Sequence, residues 1–267
     1  MAAVRKLRDD GNLRAILGLV VICVVFLLLL WSWKRLGAGC EQFRQIHEPV
    51  FTKTVHPRFG EVAVLNDKDM ISRAVLGGNI WEEELCKHMA AHYVDGTDMM
   101  DIGANMGFST LGMNQFKPIT GTVHAFEPQF RLCNVLSYNL RNVSSRIFNC
   151  AVGSEGGKLI TYKVDDGNVG ATKMTGGDSG VFVPVIRLDD HIDMFTNKIS
   201  LIKIDVEGQE MSVLNGATGL IAKHKPVIEV EAWGGNKDAV QKLMASLGYM
   251  LVWNQRDDYI FKPLLLN

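Results

Sequence analysis

Residues Asp98 to Gly107 read DMMDIGANMG, and this stretch decides the fold. A short apolar run, Asp98 to Ile102, opens into Gly103, and Phe108 to Phe116 follows with helical spacing. The reading is strand, glycine turn, helix. Gly103 and Gly107 permit a tight turn and a close backbone approach to a ligand. The helix start offers free N–H groups and the positive end of its dipole. A dinucleotide fingerprint needs G-x-G-x-x-G, whereas the spacing here is G-x-x-x-G, and no Gly-Lys-Ser/Thr follows. The spacing therefore supports neither a pyrophosphate turn nor a P-loop.

Outward from this point the alternation continues. Thr122–Phe126, Arg146–Val152, Leu201–Ile204 and Val227–Val230 read as strands, and Gln129–Asn142, Met211–Lys223 and Ala239–Leu247 as amphipathic helices. Upstream, Glu61–Asn66 alternates like a strand and Asn79–Tyr93 has helical spacing. The Gly-rich stretch 156–186 reads as a hairpin insertion, and Tyr249–Trp253 with Tyr259–Lys262 as a closing antiparallel pair. Apolar strands alternating with such helices predict an α/β fold with a mostly parallel sheet covered on both faces. Ligands of such sheets sit beyond the carboxyl ends of the strands, where the strand order switches.

Those ends carry a consistent set of groups. Asp101 at the first would suit a cationic ligand. Glu127, 24 residues beyond Gly103, can accept hydrogen bonds from a ribose diol. Asn149 and Ala151 at the third end could border an adenine. Asp205 and Glu207 leave the fourth strand where a reacting centre would lie. Each feature has a plain structural explanation: a packing turn for Gly-x-x-x-Gly, a surface or capping role for Glu127, a helix cap for Asp205. Four suitable ends in order are harder to explain that way. His124 lies within a strand and reads as a core histidine; His191 lies on a loop-to-helix stretch. A cation cluster of Asp205, Glu207, Glu229 and Glu231 is conceivable, but Lys203 could relieve those charges equally well, so no metal is assigned.

At these residues the sequence resembles the FkbM-type family of S-adenosylmethionine-dependent methyltransferases. The matching pieces are DIGANMGFST (Asp101–Thr110), HAFEP (His124–Pro128), NCAVG (Asn149–Gly153), RLDD (Arg187–Asp190), LIKIDVEGQEMSVLNGA (Leu201–Ala217) and VIEVE (Val227–Glu231), with GGNIWEEEL upstream like the family's opening segment. The resemblance covers about Leu76 to Pro263 and implies a Rossmann-like class I methyltransferase. It implies that Asp101, Gly103, Asn105 and Gly107 border the methionine portion of S-adenosyl-L-methionine, that Glu127 holds the ribose, and that Asn149 and Ala151 flank the adenine. Asp205 and Glu207 would be catalytic, with Glu229 and Glu231 also lining the reaction side. The implied activity is O-methylation of a hydroxyl on a small molecule, sugar or lipid-linked acceptor. The rival readings are an inactive binding module on the same fold and a nicotinamide-dependent oxidoreductase, which the glycine spacing disfavours.

The chain has 267 residues, 28 Lys+Arg against 29 Asp+Glu, and a formal net charge of -1. No basic surplus is available to neutralise phosphates, so no nucleic-acid partner is expected. Five cysteines without a C-x-x-C suggest neither a zinc ribbon nor a disulfide framework. Ala15–Trp33 is uncharged, free of proline and 19 residues long, and Lys34 and Arg35 follow it. By length it reads as a single transmembrane helix preceding the domain. The expected organisation is a tail at 1–14, a membrane helix at 15–33, a stalk at 34–60 and a methyltransferase domain at 61–267. This would be a single-pass membrane protein attached through its N-terminal helix, with the side of the domain and the oligomeric state open.

Overall fold

The computed structural model describes residues 51–65, 68–162, 174–175 and 181–264. In chain order the strands are β1 (Thr52–His56), β2 (Gly60–Val64), β3 (Asp98–Ile102), β4 (Val123–Phe126), β5 (Ser145–Phe148), β6 (Ala151–Val152), β7 (Leu159–Tyr162), β8 (Met174–Thr175), β9 (Val181–Ile186), β10 (Ile199–Ile204), β11 (Val227–Glu231), β12 (Tyr249–Gln255) and β13 (Asp258–Pro263). The helices are α1 (Met70–Leu76), α2 (Glu83–His92), α3 (Phe108–Phe116), α4 (Phe130–Asn139), α5 (Glu210–Asn215), α6 (Thr218–His224) and α7 (Asn236–Ser246), with a 3-10 segment at Leu188–Met194.

The main sheet has seven strands in the order β12-β13-β11-β10-β3-β4-β5. β3, β4, β5, β10 and β11 run parallel, and β13 is antiparallel to both β11 and β12. The order switches at β3, which has β4 on one side and β10 on the other. One face buries Met100, Ile202 and Ile228 with residues of α5, α6 and α7. The other buries Met99, Leu201 and Val227 under α2 and α3. These fully buried parallel strands have apolar residues on both faces, which is why they read as continuous runs and not as alternation.

Three elements depart from the sequence reading. The helix expected over Met211–Lys223 is two helices. A Cβ at Gly216 would stand 2.0 Å from the Gly153 carbonyl oxygen, so another loop presses on the chain at the break. The strand expected over Arg146–Val152 divides between the main sheet and a smaller four-stranded sheet. Thr52–His56, in the stretch expected as stalk, pairs antiparallel with β2.

The membrane expectation is corrected. No helix among the described residues is long and apolar enough to cross a bilayer. The longest, α7, has 11 residues, where a span needs about 20. The run 15–33 itself lies outside the described residues. The described residues form an α/β unit that holds no membrane-crossing helix, and neither membrane attachment through an N-terminal helix nor single-pass localisation is carried into the functional reading.

Candidate functional site

The carboxyl ends of β3, β4 and β10 open onto one cavity of about 320 Å³. That is within the range of small-molecule sites. Gly103, Asn105, Glu127, Ala151, Asp205 and Glu207 all line it. Asp101, Gly107 and Asn149 do not: Asp101 is buried beneath the site, Gly107 packs against Leu136 and Leu140, and Asn149 is exposed outside the cavity.

The turn after β3 is fixed by backbone contacts. The Gly103 and Ala104 amides both donate to the Phe126 carbonyl, over 2.9 and 3.0 Å, and the Asp205 amide donates to the Ile102 carbonyl over 3.0 Å. Gly103 has φ +87°, and a Cβ there would lie 1.7 Å from the Asp205 carbonyl oxygen. Only glycine fits. Asn105 is also left-handed, at φ 51°. Gly107 (φ +81°) starts α3, and a Cβ on it would strike Leu136 at 2.7 Å, so its role is packing.

Glu127 follows β4 and is buried. Its Oε2 accepts from the Asn105 amide over 2.9 Å and its Oε1 from the Gln129 amide over 2.7 Å. Each oxygen keeps acceptor capacity for a ligand in the cavity. Burial raises its pKa to about 7, although both amides oppose the rise. The Asn149 amide group donates to the Glu127 and Pro128 carbonyls, 3.0 Å each, and so braces this turn from outside the cavity.

The opposite side is dominated by carboxylates around one ammonium. Lys203 is buried, and its Nζ lies 2.9 Å from Asp205 Oδ2. Burial works against ionised Asp205, but Lys203 and its hydrogen bonds hold its pKa below the ordinary carboxylate value. Glu231 moves up, through burial and then through the charge of Asp205. Burial also raises Glu82, and lifts Asp258 to about 7. Asp101 lies deeper, accepting from Thr110 Oγ1 over 2.5 Å, and burial raises it too.

Sequence reasoning missed one wall. Met70, Ile71, Trp81 and Glu82 close the cavity from the segment before β3. Glu82 is left-handed (φ 51°) and accepts from Ser109 Oγ over 3.2 Å. Local spacing marks none of these residues; the one signal was that Trp81 and Glu82 lie in GGNIWEEEL, the segment that resembles the family's opening. The period-two pairs Lys203/Asp205 and Glu229/Glu231 did carry a readable signal, since alternate strand residues share a face. His124 is a buried histidine bonded to Asp98 over 2.9 Å, and His191 is exposed on the 3-10 segment.

A family profile described as "Methyltransferase FkbM domain" matches residues 101–259. "Methyltransferase 1" of Beauveria bassiana is 31% identical over 151 residues, covering 47% of this chain and 60% of that protein. The chain thus spans less than two thirds of this curated relative. Among solved structures, methyltransferase FkbM from Methylobacillus flagellatus aligns with a TM-score of 0.47 at 19% identity, over 72% of this chain and 52% of its own. Precorrin-6y C5,15-methyltransferase from Geobacter metallireducens aligns with a TM-score of 0.39 at 12% identity, over 67% of this chain and 84% of its own.

Proposed function

The chain belongs to the FkbM methyltransferase family, and from that premise we propose that it transfers a methyl group from S-adenosylmethionine to a hydroxyl oxygen of a small molecule or glycan. One observation carries the reading. The buried, doubly amide-held Glu127 and the lysine-paired Asp205 line the same cavity on either side of the glycine turn.

The residues present fit the cofactor. Gly103 leaves the turn without a side chain, as close backbone approach requires. Glu127 offers two fixed acceptor oxygens to a ribose diol, and Ala151 with Cys150 and Val152 gives a small apolar border for a base. Asn105, whose Oδ1 is buried without a partner, is placed for the amino-acid portion. Asp101, Gly107 and Asn149 act one layer back, holding these groups.

When bound, S-adenosylmethionine supplies a methyl on a cationic sulfur. The protein's tasks are alignment and proton removal. Asp205 accepts the acceptor hydroxyl's proton. Lys203 keeps Asp205 ionised for that purpose, and Glu207 positions the acceptor. Glu82 and Trp81 border the acceptor from the segment before β3.

Calorimetry with S-adenosylhomocysteine, followed by a methyl-transfer assay over a panel of glycosides and small alcohols, tests the proposal. Saturable binding with turnover of a hydroxyl compound is expected. Absent binding would overturn the cofactor reading, and binding without any turnover would leave a ligand-binding module.

A further inference from the structure

The strand register sorts one face of the sheet into rows. Met99, Leu201 and Val227 form an apolar row. Two residues on, Asp101, Lys203 and Glu229 are partners across β3, β10 and β11. Two further on come Asp205 and Glu231, with Asp258 paired to Glu231. Glu82 approaches the same group from the loop before α2. Among the described residues, six carboxyl groups therefore surround the single ammonium of Lys203.

Two independent observations call for a further positive charge. Asp205, Glu207 and Glu231 each offer a carboxylate oxygen, and those oxygens lie within 4.8 Å of one another on the cavity wall. Behind them, Glu229 is wholly buried and neither of its oxygens has a hydrogen-bond partner. It extends from the same face as Glu231 and feels Lys203, Asp258, Glu82 and Asp205 directly. Lys203 engages Asp205 Oδ2, and Asp205 and Glu231 are joined by a hydrogen bond whose shared proton a bound cation would replace.

We propose that Asp205, Glu207 and Glu231 bind a divalent, oxygen-preferring cation, magnesium or manganese, in the candidate site. Three carboxylates with no nitrogen or sulfur donor form a hard-ligand set, which suits these ions and not zinc or copper. The cation neutralises the triad, and its remaining positions face the cavity, where an acceptor oxygen can complete its shell. The inference rests on the methyl-transfer reading of the site and names how the acceptor is held.

The test is manganese binding to the full chain after chelator treatment, followed by calorimetry and by the paramagnetic resonance signal of free Mn²⁺. Wild type is expected to bind one equivalent. Glu231→Gln and Glu207→Gln should each weaken binding by at least ~10-fold. Glu84→Gln, on the exposed side of α2, should leave it unchanged. No saturable binding by wild type up to about 5 mM, weaker than the weakest protein calcium sites, would overturn the proposal. So would equal affinities in all variants. S-adenosylhomocysteine binding in chelator-treated buffer separates the two readings. If the nucleoside binds and manganese does not, the cation site falls and the cofactor reading stands. If manganese binds and the nucleoside does not, the cation site stands and the cofactor reading falls.

Discussion

Gly103 and Asp205, 102 positions apart in the chain, meet backbone to backbone, and a single added carbon on Gly103 would fall 1.7 Å from the Asp205 carbonyl oxygen. Gly103→Ala must displace one of the two loops and also hold alanine at φ +87°. The backbone term alone is about 1–3 kcal/mol. Urea unfolding should show at least that loss. Nucleoside binding should be abolished even at temperatures where the variant remains folded.

Glu127→Gln should weaken S-adenosylhomocysteine binding by about 10–100-fold, the loss expected for a charged acceptor facing two hydroxyls. The wild-type affinity should also depend on pH. Burial places the Glu127 pKa at about 7, and the protonated acid loses acceptor capacity. Affinity should therefore fall as pH drops through 7, by about tenfold between pH 8 and pH 6. The glutamine variant should be flat over this range. A wild-type profile as flat as the variant's would remove Glu127 from the ribose role.

Asp205→Asn should reduce turnover by about 10²–10⁴, the range for loss of a general base, with nucleoside affinity changed by less than about threefold. Lys203→Met should act through Asp205. Without the ammonium the carboxylate titrates higher, so the acid limb of the kcat profile moves to higher pH. Unaltered kcat in Asp205→Asn would exclude it from proton transfer.

Stability should follow the buried acids. Glu127 and Asp258 titrate near 7 in the folded protein, against ordinary values of 4.5 and 3.8. Folded protein then binds more protons than unfolded protein between those limits, so stability falls as pH rises through them. Asp205 has the opposite sign, but its lowered pKa confines its effect to more acidic solutions. Burial lowers His56, His92 and His224, which opposes the trend below pH 7, so melting temperature, measured without divalent cations, should be lower at pH 8.5 than at pH 7. Asp258→Asn should flatten the slope.

The succession of strands along the chain and the location of the cavity were legible because apolar strands alternate with helices and several end in a glycine turn (Gly103, Gly208) or an acidic exit (Glu127, Asp205, Glu231). The depth of individual side chains was less so. Asp101 and Gly103 are two residues apart, yet one is packed under α3 against Thr110 and the other lines the cavity. That distinction depends on the neighbouring strand, which supplies Lys203 beside Asp101. Asn149 is similar: the strand ends where expected, but its side chain turns back to brace Glu127. The break at Gly216 and the wall at Trp81 and Glu82 arise from contacts distant in sequence, which periodicity does not register.

Met70, Ile71, Trp81 and Glu82 come from a stretch that precedes the family-matched segment 101–259. The two sides of the cavity thus come from different stretches of the chain. Recombination within the interval between Glu82 and Asp98 would pair an inherited nucleoside cradle with a foreign wall. A chimaera built at that junction is expected to keep its donor and exchange its choice of alcohol.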